Sequence, residues 1–346
     1  MKALTLTELG GPEHLVVQEV PAPRLEAPDQ VLVRVRAAAL NRLDLFVAGG
    51  LPGISYTFPH VVGSDGAGII EATGPEVTGF KPGDRVMFNP GIACHACEWC
   101  LAGEHPLCAT YQVLGEHRPG TIAEYVVVPA RNLARVPETM SWEQAAGFSL
   151  ATLTAWRMLV NRAALRAGES VLVWGAGGGV SLAAVQVARL MGANVIATSS
   201  SPAKLAVASR LGADITLNHA EVDVAKEVRR LTGRRGVEVV VDSVGEKTWE
   251  QSLRCLARLG RLVTCGATTG PMVVTDVRKL FWYQWTILGS TMGSEGEYRR
   301  IVELAHHGKL WPVVDSVVPL AQARHAYERL HAGAQTGKLV IEVTRE

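Results

Sequence analysis

The stretch Val171–Ser200, VLVWGAGGGVSLAAVQVARLMGANVIATSS, decides the fold. An apolar run (Val171–Trp174) meets a glycine turn (Gly175–Gly179), then an apolar helical pattern (Leu182–Met191) and a second apolar run (Val195–Thr198). That is the strand, turn, helix and strand of a βαβ unit able to hold a dinucleotide. Glycines let the backbone approach a pyrophosphate, and the free N–H groups opening the helix favour its negative charge. Gly175, Gly177, Gly178, Gly179 and Val180 are the expected contacts; the competing reading is a glycine turn that only packs strand against helix. Ser181 stands where a small residue is expected at the helix–strand contact. The segment from Ser170 to Ala188 is uncharged, but its central glycines would interrupt a membrane-spanning helix.

Working outward, β-like runs at Ile215–Leu217, Val237–Asp242, Arg261–Cys265 and Thr286–Gly289 alternate with helical patterns at Ala203–Leu211, Val222–Leu231 and Trp249–Leu256. This texture predicts an α/β, doubly wound parallel sheet. The first 130 or so residues differ: short strand-like runs at Val31–Ala37, Gly68–Ala72, Arg85–Phe88 and Ala123–Val128 lie between Gly/Pro breaks, as in a mostly β domain. The boundary is expected near residue 150. The tail has helical segments (Tyr298–His306, Leu320–His331) and a closing strand, Lys338–Val343; it either extends the sheet domain or returns to the first one.

An acid ending the second strand would bind a ribose 2′-hydroxyl, whereas Ser199, Ser200 and Lys204 stand there instead. Hydroxyls and a lysine can donate to a 2′-phosphate, so NADPH is expected over NADH. Ser201-Pro202 also reads as a helix start. Gly266, just beyond a later strand, is a further expected cofactor contact.

Four of the six cysteines fall in one segment, Cys94-x2-Cys97-x2-Cys100-x7-Cys108. Four thiolates fill a tetrahedral zinc sphere and leave no open position, so one structural Zn²⁺ per chain is expected. An iron–sulfur cluster is the rival with the same donor set. His95 and His105 share the loop and read as bystanders; Cys255 and Cys265 read as inert thiols.

The 346 residues are 48% hydrophobic and 19% charged with a formal net charge of +1, which excludes disorder and any global attraction to nucleic acid or anionic membranes. Met1–Glu8 alternates as a strand and has no leader-like apolar core, so a cytoplasmic location is expected. The expected partner is a small-molecule substrate.

Together these features resemble the medium-chain dehydrogenase/reductase superfamily. The resemblance also rests on Gly79–Val86 (GFKPGDRV), Gly120–Tyr125 (GTIAEY) and Gly337-Lys338. It implies a GroES-like catalytic domain of residues 1–150 plus 291–346, a Rossmann domain of 151–290, and a homodimer or homotetramer joined around Thr286–Thr291. Zinc alcohol dehydrogenases of the superfamily hold a catalytic zinc with residues whose places are taken here by Asn41, Ser64 and Leu150. Asp65 is the one good ligand nearby, so catalytic zinc is not expected. Asn41-x-x-Asp44 and Gly63-Ser64-Asp65 instead resemble the quinone oxidoreductase branch, which works without catalytic metal. Phe46 replaces a tyrosine frequent in that branch, and many of its members lack the four-Cys lobe.

The resulting expectation is NADPH-dependent hydride transfer to a quinone or α,β-unsaturated carbonyl. Asn41 and Ser64 would orient the acceptor oxygen, with Asp44 and Asp65 supporting and Thr154 a further candidate. A zinc-containing alcohol or aldehyde dehydrogenase is one alternative, a non-catalytic NADPH-binding protein another. Asn41 also reads as a helix cap, Asp44 as a partner for an arginine, and His60 as a loop histidine or proton donor. The aromatic run Leu280–Trp285 is expected chiefly in the core.

Overall fold

The computed structural model describes residues 1–345. The chain forms two compact units: Met1–Ala151 with the tail from Gly293, and Thr152–Met292.

The second unit holds one six-stranded sheet, whose strands are β1 (Ser170–Val173), β2 (Asn194–Ser199), β3 (Ile215–Asn218), β4 (Val237–Asp242), β5 (Leu256–Thr264) and β6 (Thr286–Gly289). Every pairing is parallel and the order is β3-β2-β1-β4-β5-β6, the Rossmann arrangement, whose strand order reverses between β1 and β4. Central strands of such a sheet are covered on both faces, which explains why Val171, Leu172, Val173, Val239 and Val240 are all fully buried. Leu172, Ile196 and Val240 share a core with Val228 and Leu253 from two of the intervening helices.

The aromatic run departs from the core expectation. Helix Val277–Tyr283 turns Leu280 and Tyr283 toward the core but leaves Phe281 and Trp282 64% and 67% exposed. A helix covers the sheet with one stripe only, so four aromatics in six residues cannot all face inward. Trp285, beyond the helix, is buried and donates its indole N–H to the Ala257 carbonyl at 2.9 Å.

In the first unit the ten-residue strand Gln30–Ala39 is the organising element. Asp65–Thr73 pairs with it antiparallel on one side and the tail strand Lys338–Glu342 on the other. Tyr125–Pro129 pairs with its first half. The alternating Val31, Val33 and Val35 are fully buried with Ile70, Val86 and Phe88. A second core gathers Leu4, Leu6, Ala38 and Val62 with Tyr327 and Leu330 of helix Ala323–His331. Strand pairing therefore places the tail in the first unit, the question that residue patterns left open. No helix among the described residues is long and apolar enough to cross a membrane.

Candidate active site and cysteine lobe

The register of the first sheet assembles a buried polar cluster. Ala39 lies opposite Asp65 on one side and opposite Val340 on the other, so the start of each neighbouring strand meets the end of the central one. Two residues beyond Ala39, Asn41 precedes helix Arg42–Gly49. Its Nδ2 donates to Asp65 Oδ2 at 3.0 Å, and Lys338 Nζ donates to Asn41 Oδ1 at 2.5 Å and to Asp65 Oδ2 at 2.9 Å. The other carboxylate oxygen of Asp65 accepts the Leu150 backbone N–H at 2.8 Å, and Thr121 Oγ1 donates to the Asp65 carbonyl at 2.7 Å. Asp65 is fully buried and Lys338 nearly so. A buried charge needs such a partner, because desolvation costs several kcal/mol per ion.

Asp44 holds the start of the helix by accepting the Asn41 backbone N–H at 2.6 Å. Burial pushes its carboxyl up to about 7, against the lowering effects of that hydrogen bond and of the Lys338 charge. The expected pairing with an arginine is thus replaced by a backbone contact. Asn41 likewise does more than begin a helix, since its amide bridges Asp65 and Lys338.

Ser64 is fully buried, and its hydroxyl has no hydrogen-bond partner. It follows Gly63, whose φ of +98° and 2.4 Å approach to Ile122 Cγ1 by any added Cβ admit only glycine. His60 is also buried; its Nε2 lies 3.0 Å from the Gly115 carbonyl, and burial lowers its pKa below that of free histidine. It serves as a turn-fixing residue. Thr154 lies buried on helix Trp142–Trp156, in the second unit. Lys338 joins the cluster without standing in any catalytic motif of the sequence. Its signal in the sequence is a lysine followed by three apolar residues, KLVI, at the start of the closing strand, where burial of these four positions demands a partner for the charge.

In the second unit, Gly175, two residues past β1, adopts a φ of +67°. Gly178 is the N-cap of helix Gly179–Leu190 without a side-chain cap. The helix thus begins with uncapped backbone N–H groups, with Val180 in its first turn, and space beside Gly178 stays open to within 3.9 Å. These donors fit a pyrophosphate. Lys204 lies over the turn, with its Cδ 2.5 Å from where a Cβ on Gly177 would stand. Ser181 replaces glycine at the strand contact by donating to the Trp174 carbonyl at 2.8 Å. At the end of β2, Ser199 Oγ accepts the Ser201 N–H, Ser201 caps the next helix, and Ser200 is exposed. Asp242, ending β4, fixes the following loop by accepting the Val244 and Gly245 N–H groups and the Thr248 and Ser252 hydroxyls. Gly266 lies close enough to the Ser243 carbonyl that an added Cβ would stand 3.3 Å from it.

The four lobe cysteines bring their sulfurs within 4.8 Å of one another. Cys94 and Cys100 sulfurs are 3.9 Å apart, close to the ~3.8 Å edge of a tetrahedron with 2.3 Å Zn–S bonds. Backbone N–H groups of Ala96 and Cys97 reach Cys94 Sγ, and that of Cys94 reaches Cys108 Sγ. Such donors stabilise thiolates, so the cluster fits a structural zinc.

Two family models match the chain: an alcohol dehydrogenase GroES-like domain over residues 27–138 and a zinc-binding dehydrogenase over residues 179–307. The chain belongs to the medium-chain dehydrogenase/reductase superfamily. A zinc-type alcohol dehydrogenase-like protein of Schizosaccharomyces pombe is 36% identical over 97% of each chain. A quinone oxidoreductase of Pseudomonas aeruginosa is 34% identical over 98% of this chain and 99% of its own. A crystal structure titled NAD-dependent alcohol dehydrogenase is 46% identical, with a TM-score of 0.95 over 99% of this chain and 100% of that one. The superfamily accounts for the GroES-like and Rossmann folds and makes the protein an oxidoreductase. The dehydrogenase family model and the NAD-dependent relative support a nicotinamide cofactor.

Proposed function

We propose that the protein is an NADPH-dependent reductase of quinones or α,β-unsaturated carbonyls that works without a catalytic metal. The observation that carries this reading is the Asn41–Asp65–Lys338 cluster. Where zinc relatives place metal ligands, this chain has an amide, a hydroxyl and the side chain of Leu150; of the two nearby carboxylates, Asp65 is already paired with an ammonium group and Asp44 accepts the Asn41 backbone N–H. That donor set does not fit Zn²⁺.

Bound NADPH supplies the hydride. Asn41 Oδ1 accepts a hydrogen bond from the Lys338 ammonium, which draws electron density from the amide and strengthens its N–H groups as donors. One Nδ2 hydrogen is held by Asp65, which leaves the other to be offered to the acceptor oxygen. Charge developing on that oxygen is then met by a prearranged donor. A conjugated acceptor spreads the same charge, which is why it needs no Lewis acid. Ser64, fully buried with an unpartnered hydroxyl, is a second donor only if substrate binding opens a path to it. For the cofactor, Ser200 and Lys204 take the 2′-phosphate, and no acid at the end of β2 repels it.

The second reading, an NAD-dependent zinc alcohol dehydrogenase, is favoured by the 46% identical crystal structure of that title. Metal content per chain and initial rates with NADPH and NADH against one quinone, one enone and one primary alcohol separate the two. One zinc per chain with quinone or enone turnover supports the proposal. Two zincs with alcohol oxidation overturn it, and tight NADPH binding without turnover points to a non-catalytic protein.

A further inference from the structure

We propose that His95, His105 and Glu295 form a second metal site, for one divalent late transition ion such as Zn²⁺, Co²⁺ or Ni²⁺, beside the four-cysteine cluster. The two histidines, bystanders in the sequence, meet a residue almost two hundred positions away. One ligand atom from each of the three lies within 4.8 Å of the others. His95 Nε2 is 3.1 Å from Glu295 Oε1, and the two imidazole rings are 5.1 Å apart between centroids. The Glu295 backbone N–H approaches His105 Nδ1 at 3.4 Å, which holds that ring against the start of helix Glu295–His306.

Backbone placement supports a ligand role. His95 has a left-handed φ of 58°, a conformation few non-glycine residues adopt. It lies between Cys94 and Cys97, so closing the cysteine cluster turns its ring outward to Glu295. Glu295 is itself fixed by the reciprocal capping box of Ser294 and Glu297, in which Ser294 N–H donates to Glu297 Oε2 at 2.6 Å. The His95 and Glu295 side chains are 22% and 14% exposed, enough for an aqueous ion to enter and little enough to favour its retention. The carboxylate also meets Arg299, at 3.4 Å and 76% exposed, which an ion can displace.

Two imidazoles and one carboxylate suit zinc and its neighbours rather than Mg²⁺ or Ca²⁺. Ligand atoms bound at ~2.0–2.1 Å stand roughly 3.3 Å apart in a tetrahedron, so small rotations of the His105 and Glu295 side chains close the site. Three protein ligands leave a fourth position for water, unlike the closed cysteine site. The ion would clamp loop 94–108 to the helix beginning at Glu295.

The test uses the full-length protein carrying its cysteine-bound zinc, washed with a chelator mild enough to leave that zinc, as checked by thiol titration. Co²⁺ is then added and followed by calorimetry, absorption and thermal unfolding. One further equivalent per chain, a raised midpoint and a spectrum without thiolate charge-transfer bands are expected. His105→Ala and the conservative Glu295→Gln should each weaken uptake about tenfold or more while keeping one zinc per chain. Should His105→Ala fail to fold, Glu295→Gln alone decides. No second equivalent, uptake undiminished in Glu295→Gln, or thiolate bands showing exchange into the cysteine cluster would each overturn the proposal; His95 and Glu295 would then be a simple ion pair.

Discussion

Lys338 Nζ lies 2.9 Å from Asp65 Oδ2, joining the last strand of the chain to one that begins 273 residues earlier. With side-chain exposures of 3% and 0%, the two charges are out of water and depend on each other. Lys338→Met should therefore destabilise the protein by about 3–5 kcal/mol, because it leaves a buried carboxylate uncompensated. Asp65→Asn in the same chain should recover part of that loss. Urea unfolding of both single variants and the double variant measures the coupling, and strictly additive effects would contradict it.

Asn41→Ala removes the amide between these charges and the proposed acceptor oxygen. The expected result is a fall in kcat/KM of about 10²-fold or more, with zinc content and NADPH affinity unchanged. Steady-state kinetics with a quinone or enone, beside fluorescence binding of NADPH, checks this. An unchanged kcat/KM would remove Asn41 from the reaction.

Asp44 gives the protein a stability that depends on pH. Its folded pKa of about 7 stands above its ordinary carboxyl value of 3.8, so between those values the folded state holds a proton that the unfolded chain has released. This contribution is full below about pH 4, falls as pH rises, and is spent above about 7, a total of at most ~4 kcal/mol. Asp44→Asn keeps an acceptor for the Asn41 N–H and should flatten that slope. Unfolding free energies across this pH window provide the comparison.

Ser200→Asp places a negative charge on an exposed position just past β2. It should shift the ratio of NADPH to NADH affinity toward NADH by about tenfold or more, or ~1.4 kcal/mol. Dissociation constants for both cofactors are the readout, and an unmoved ratio would place the 2′-phosphate elsewhere.

Cys97→Ser should release the lobe zinc and lower the unfolding temperature before it affects hydride transfer in the folded fraction. Metal content, thermal unfolding and initial rates on one preparation decide it. Lost activity with zinc and unfolding temperature intact would assign the lobe a direct catalytic part.

Local pattern alone made the second unit legible. β4 and β6 begin and end where apolar runs and turn residues put them, and the glycine turn at Gly175–Gly179 carries its own backbone geometry. Contacts between near neighbours in sequence impose such features. Cys94, Cys97, Cys100 and Cys108 are legible for the same reason, since fifteen residues hold all four donors. Phe281 and Trp282 were not, because hydrophobicity does not say which side of a helix meets the sheet.

Local sequence carries the dinucleotide-binding unit and a four-cysteine lobe with the donor set for a metal. It takes the folded chain to bring Lys338 to the Asn41–Asp65 pair and Glu295 to His95 and His105. The physical reason is strand register. Ala39 faces Asp65 on one side and Val340 on the other, and that pairing across three hundred residues, which no local periodicity encodes, brings the charges together.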